Sequence, residues 1–288
     1  MAECPELNRG TRDSCYAASV CSYIAKPLSP LLAPFVKSFH YHEASFPFAL
    51  ERIIPNGQAH MMVNLAEDEF RCYKSARAEH MIRNSGAVLA GPHARSTIID
   101  THEQRWLAAV EFRCGGAARF FSVPMTKVCN EMVSLDDLWG RDGMLLRERL
   151  LEAPDPQSKF RVFEELLLQF LKPNADPTIR YAVSALRSGV PLSQVASRAG
   201  LLPRTLQRRF SSQVGMSPKR FARVSRLQRV LRAVRRSTEP VWHVLAADHS
   251  YADQAHLVHE FRELADITPS GYKPHSHLRN NHIPISLD

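Results

Sequence analysis

Two copies of one pattern near the C-terminal end constrain this chain more than any other feature of it. The first is Ala196-Ser-Arg-Ala-Gly200-Leu-Leu-Pro203-Arg204-Thr205-Leu206-Gln207-Arg208-Arg209-Phe210; the second runs from Val241 to Phe261 and closes on Thr268-Pro-Ser-Gly-Tyr272. Each copy spells two short helices joined by a tight turn, the unit that sets a helix into the major groove of DNA. Gly200 permits a positive φ between helices that meet near a right angle. Ala196 is small where those helices cross. Leu206 and Phe210, four residues apart, share the inward face, so Arg204, Thr205, Gln207 and Arg208 point outward. Arginine can pair with guanine O6 and N7 and glutamine with adenine N6 and N7, each pair discriminating by about 1–3 kcal/mol.

The charge distribution agrees with that pattern. Residues 174–288 hold 17 Lys+Arg against 8 Asp+Glu, whereas the rest of the 288-residue chain sets 20 against 21. The net charge of +8 therefore belongs wholly to the C-terminal part. A basic module joined to a near-neutral one suggests that one of the two meets a polyanion. All 6 cysteines lie in the neutral part without a C-x-x-C spacing, the pattern of reduced thiols, not of a zinc ribbon or a secreted framework. Neither a leader-like N-terminus nor an apolar run of about 18 residues occurs, so a cytoplasmic protein that meets no membrane is expected.

Along the chain, residues 1–26 lack periodicity and read as a disordered arm. From 27 to Pro124 short runs such as Ala59–Leu65, Gly86–Ala90, Ser96–Ile99 and Trp106–Phe112 are punctuated by Pro55-Asn-Gly57, Gly91-Pro92 and Gly115-Gly116. That spacing predicts many short strands in a small antiparallel barrel. The period then becomes helical, with Phe160, Phe163, Leu166, Leu167, Phe170 and Leu171 on one helix, 158–171, whose apolar face fits either of two roles: covering the barrel or forming a dimer seam. Pro173 to Pro177 reads as the linker between domain 27–173 and domain 174–288. Within the latter, 192–213 forms the first helix pair, 218–236 a connecting helix opened by Pro218, and 240–264 the second pair. The expected fold is thus α+β and multidomain.

The order of these motifs resembles the AraC/XylS family of transcription regulators. Val195-Ala196, Gly200, Leu206-Gln-Arg208, Phe210, Gly215-Met-Ser-Pro218, Phe221 and Arg226-Leu227 carry the resemblance in the first unit; Tyr251-Ala-Asp253-Gln254-Ala-His256, Phe261-Arg262 and Thr268-Pro-Ser-Gly-Tyr272-Lys273 carry it in the second. The resemblance implies an all-α double helix-turn-helix domain that reads promoter DNA, usually as an activator working with RNA polymerase, and no catalytic role. It implies base-reading positions at Arg204, Thr205, Gln207 and Arg208, and at Gln254, Ala255 and His259. Phosphate contacts are expected from Arg209, Lys219, Arg220, Arg262 and Lys273. The second unit departs from the pattern at three places: Ser250 stands at the turn glycine, Asp266 at the glycine before Thr-Pro, and His259 beside Glu260 at a commonly basic position. An added carboxylate and fewer donors should weaken phosphate attraction there, so the first unit is expected to carry most of the specificity. His256 reads as structural.

The N-terminal part resembles the cupin-like domain of a subset of that family, through Ile54-Pro-Asn-Gly57, Val63-Asn64-Leu65, Gly91-Pro-His93, Phe112-Arg-Cys-Gly-Gly-Ala117 and Leu135-Asp-Asp-Leu-Trp-Gly140. That implies a sensing domain, a homodimerising domain, or both, with a small-molecule effector inside the barrel against Met62, Asn64, His93 and Trp106. His40 and His42 are closely spaced but precede the barrel strands, and His60, His93 and His102 stand alone, so no metal and no cofactor are expected. Cys72 and Cys114 sit in no nucleophile signature. Three alternatives stay open: a domain that only dimerises or meets a protein partner, a metal-dependent cupin enzyme, and a DNA-repair methyl acceptor.

Overall fold

A computed structural model describes residues 20–73, 80–173, 175–237, 239–274 and 280–285. Its N-terminal half is built of strands. They are β1 (Val20–Ala25), β2 (Val36–Ala44), β3 (Leu50–Ile53), β4 (His60–Asn64), β5 (Glu69–Tyr73), β6 (Met81–Ser85), β7 (Ala87–Ala90), β8 (Thr97–Asp100), β9 (Trp106–Phe112) and β10 (Met132–Ser134). Three helices follow, α1 (Leu135–Trp139), α2 (Arg141–Glu152) and α3 (Pro156–Phe170). Next come α4 (Pro177–Arg187), α5 (Leu192–Arg198), α6 (Pro203–Val214), α7 (Pro218–Val234), α8 (Trp242–Asp248) and α9 (Gln254–Ala265), and a last strand, β11 (His282–Ile285).

The strands do not close into the expected barrel. They form two antiparallel sheets, one in the order β1-β2-β9-β4-β7-β10 and one in the order β11-β3-β8-β5-β6. Alternation along β2, β4 and β9 explains the layering. Phe39, Met61, Val63, Leu89, Ala108 and Val110 face one way and pack with Leu146, Leu150, Phe163, Leu166 and Leu167 of the helices. The apolar stripe of α3 is therefore spent within the domain: Phe39 stacks on Phe160 and Phe163 with ring centroids at 5.8 and 6.1 Å. Each such buried side chain contributes about 1.5–3 kcal/mol. The opposite face carries Met62, Val88 and Leu107, which meet Phe70 of the second sheet.

Two boundaries differ from expectation. Residues 20–25, placed in the N-terminal arm, pair with Phe39–Ala44 as an edge strand; residues 1–19 lie outside the described residues. The chain's last described segment, assigned to the DNA-binding part, instead lies along β3 with His282 opposite Ile53 and Ile285 opposite Leu50. Its alternation buries Ile283, while His282 Nδ1 lies 2.8 Å from the buried Glu51 carboxylate.

The helical half has one core, in which Val195, Ala196, Leu206, Phe210, Phe221, Val224, Leu227, Leu257 and Phe261 are fully buried. Ile54, Ala94, Cys114 and Cys129 of the strand domain join the same cluster. Asp176 caps α4 by accepting from Thr178 N at 3.0 Å, and Arg119 Nη1 donates to Pro173 O at 2.9 Å, which fixes the entry into the helices.

Candidate nucleic-acid interface

The first unit places α6 where its sequence spacing requires. Pro203 opens the helix, Leu206, Phe210 and Val214 form its inner row, and Ala196 is buried where α5 crosses. Arg204, Gln207, Arg208 and Arg209 are exposed and Thr205 is half-buried, all within the first two turns. Unpaired amides and the positive end of the helix dipole favour an anion here, and arginine and glutamine are side chains with the donors to pair with base edges. Gly200 has φ +64, and a Cβ there would meet nothing, so the turn needs glycine for its conformation alone.

The second unit repeats the construction. Asp253 caps α9, its side chain accepting from His256 N at 2.7 Å. Gln254, Ala255, His259 and Arg262 are exposed and, with Val258, line one open groove along the helix. His256 is structural in its contacts: its ring meets Tyr251 edge-on at 5.3 Å, and Nδ1 accepts from Ala252 N at 3.3 Å. Ser250 and Asp266 take the glycine positions at φ +61 and +54. The backbone path is thus kept, at a cost of about 1–2 kcal/mol per left-handed non-glycine residue, less for aspartate.

Glu260 does not face the reading groove. It is buried, 2% exposed, and Arg223 Nε donates to its Oε1 while Arg226 Nη2 lies 3.2 Å from Oε2. Glu263 takes Arg220 Nη1 at 2.7 Å and Arg223 Nη1 at 3.0 Å, and those hydrogen bonds, Arg223's first, hold its carboxyl down at about 2. The idea that an added carboxylate weakens phosphate attraction is therefore corrected: a residue four before Leu264 on an amphipathic helix returns to the inner face. Three arginines of α7 are spent on this tie between α7 and α9. Arg226 also lies over the Tyr251 ring at 4.3 Å and donates to Ser250 O.

Among the residues expected on phosphate, Arg209, Lys219, Arg262 and Lys273 are exposed. Arg220 is turned inward, its guanidinium divided between Glu263 and Ala94 O at 2.9 Å. Spacing gave no sign of this, because the partner lies 126 residues away.

The four residues expected in an effector pocket do not converge. Met62 packs between the sheets with Phe70, Val88 and Leu107. Trp106 lies on the other face of its sheet, where Nε1 donates to Tyr41 OH at 2.8 Å. Asn64 is consumed by a turn, donating to Glu69 O and accepting from Ala66 N and Glu67 N. His93 sits in the loop after β7, where burial pushes its pKa down to about 4.

A polar cluster on the inner face, unforeseen as a group, holds Lys37, Ser38, His40, His60 and Glu111. Lys37 Nζ donates to Glu111 Oε1 at 2.8 Å and Ser38 Oγ to Oε2 at 3.1 Å. Burial pushes His60 down to about 4 against the pull of Glu111. The register, with Ser38 and His60 both opposite Glu111, makes the cluster; the polar alternation Ser38, His40, His42 was its one sequence signal. Among the described residues no group of three histidine, cysteine or carboxylate side chains is placed to hold a metal ion.

Two helix-turn-helix units on one connecting helix, joined to a two-sheet domain, define a helix-turn-helix DNA-binding protein. Residues 184–275 match the family model described as a helix-turn-helix domain, and residues 26–134 one described as a domain of unknown function, DUF6597. The helix-turn-helix domain at 184–275 is of the AraC type, the domain of DNA-binding transcription regulators. Comparison with curated proteins returned no match. Among solved structures, ToxT from Vibrio cholerae is similar at 10% identity and a TM-score of 0.43, over 82% of this chain and 98% of that one. An unsaturated fatty acid-bound form of ToxT is similar at 9% identity and a TM-score of 0.41, over 91% and 96%. No residue role is carried over from structures this distant. No helix among the described residues is long and apolar enough to cross a membrane.

Proposed function

We propose that this regulator reads two successive major-groove segments of a promoter, with α6 the principal reader and α9 the weaker partner, and activates transcription by meeting RNA polymerase in the cytoplasm. Arg204, Gln207 and Arg208 recognise bases in the first segment, with Thr205 beside them. Gln254, Ala255 and His259 take the second, and Arg209, Lys219, Arg262 and Lys273 hold the backbone. The observation that carries this reading is the exposed Arg204, Gln207 and Arg208 on the first two turns of a helix whose other face is fully buried. The asymmetry rests on donors alone: two arginines and a glutamine in one head against one glutamine and a histidine in the other.

For the N-terminal domain two readings stand, an effector sensor and a domain that only dimerises or meets a protein partner. The scatter of Met62, Asn64, His93 and Trp106 over different surroundings favours the second. Footprinting on sequences selected from a randomised duplex pool tests the DNA reading. Arg208→Ala should cost about 1–3 kcal/mol and relax base preference at particular positions, whereas Lys219→Ala should weaken all sequences alike and lower the salt slope by about 1. Equal losses on every sequence for both variants would sink the assignment.

A further inference from the structure

One loop of the N-terminal domain touches both reading heads. In residues 91–96, between β7 and β8, Pro92 packs against Gly215 at the end of α6. Ala94 O accepts from Arg220 of α7 at 2.9 Å. Ser96 N donates to Leu264 O at 2.8 Å, satisfying a carbonyl that the last turn of α9 leaves free. The contacts thus fall at the C-terminal ends of the two recognition helices and on the helix that joins them, while the N-terminal turns that carry the reading side chains stay exposed.

The loop is stiffened from behind. Ala94 N donates to Asn130 Oδ1 at 2.7 Å and Gly91 N to Glu131 O at 2.9 Å. Beside it, Arg52 of β3, only 8% exposed, donates to Asp266 Oδ2 at 2.6 Å and to Ser96 Oγ at 3.3 Å. Asp266 is the residue that stands where the resemblance expects glycine, in a left-handed conformation at φ +54. An aspartate there accepts some strain, and the side chain it brings reaches an almost buried guanidinium across the domain boundary. A charge-assisted hydrogen bond of this kind is directional and short, and so suits the fixing of a position.

We propose that loop 91–96, with Arg52 and Asp266, sets the separation and relative rotation of the two reading helices, and so makes this chain selective for the spacing between its two half-sites. The inference rests on the reading of α6 and α9 as DNA-reading helices. One added base pair moves a half-site by about 3.4 Å along the duplex and turns it by about a tenth of a full rotation. A pair of heads braced in this way cannot follow that change without breaking the contacts above; without them the second head is held by its ties to α7 alone and can shift further.

The test uses the full chain and duplexes recovered by wild-type selection from a randomised pool, with one or two base pairs inserted between or removed from the two protected segments. Wild type should lose about tenfold or more per changed base pair, a loss of about 1.4 kcal/mol. Arg52→Ala, which leaves an exposed carboxylate behind, and Asp266→Gly, which restores the residue best suited to that φ, should each cut the penalty to about threefold while keeping affinity for the parent spacing within that range. Circular dichroism of each variant reports its fold. If either folded variant keeps the wild-type penalty, or if wild type tolerates every spacing, the inference is overturned. If wild type enriches no sequence at all, the DNA reading itself falls, and the inference with it.

Discussion

Replacing Glu260 by glutamine separates two opposed views of the second head. If the carboxylate faced DNA, its removal would strengthen binding to every duplex and steepen the dependence of log affinity on log salt by about 0.9. The structure instead buries it between α9 and α7, where Oε1 accepts from Arg223 and the Arg226 guanidinium lies 3.2 Å from Oε2 as an ion pair. Glutamine keeps the volume and one acceptor oxygen but removes the negative charge that both guanidiniums meet, leaving a bond from a charged donor to a neutral acceptor. Hydrogen bonds to charged groups contribute about 1.5–3 kcal/mol, and losing the acceptor's charge at Oε1 together with the Arg226 ion pair removes about 1–2 kcal/mol. The two arginine side chains are 24% and 20% exposed, so water replaces part of what is lost, and about 1 kcal/mol remains. For a helical unit of this size that corresponds to a fall in Tm of about 4–8 °C, read by differential scanning calorimetry. Salt slope and affinity per folded molecule should not change. A Glu260→Gln protein with an unchanged Tm and tighter binding at all salt concentrations would refute the buried tie.

Two further predictions concern stability. Ser250→Gly should stabilise by about 0.5–1 kcal/mol in urea denaturation, because serine holds a left-handed φ without a compensating partner domain, whereas Asp266→Gly should be near neutral, losing strain and the Arg52 bond together; a destabilised Ser250→Gly would contradict this. His60 and His93 are held neutral by burial, each near 4 against an ordinary 6.5. The unfolded chain takes up their protons first as pH falls, so their contribution is full above about pH 6.5 and is lost towards pH 4. The loss should reach at most about 3 kcal/mol for each histidine, visible as a falling urea midpoint, and the slope should flatten in His60→Asn/His93→Asn.

What could be read without coordinates was local. The pairs flanking Gly200 and Ser250, the cap at Asp253, the Pro218 start of α7 and the alternation of Trp106–Phe112 each depend on residues within a turn or two of one another, where rotamer preference and amphipathic period act directly. The expected phosphate role of Arg220 and the outward view of Glu260 came from the family resemblance, and they gave way where one helix met another. A stripe tells which face is apolar and says nothing of which charged neighbour is folded under with it.

Long-range pairing set the rest. The four residues named for a pocket share no surroundings, because one-residue alternation sends Met62 and Trp106 to opposite faces of the same sheet. Arg52 and Asp266 stand 214 residues apart, and β11 crosses a similar stretch of chain to lie on β3. The family resemblance, the double helix-turn-helix and its outward arginines were thus already present in the order of amino acids, since short contacts encode them. How the two heads are held against the N-terminal domain came from tertiary packing alone, because buried polar groups choose their partners by proximity in space and leave no period in the sequence.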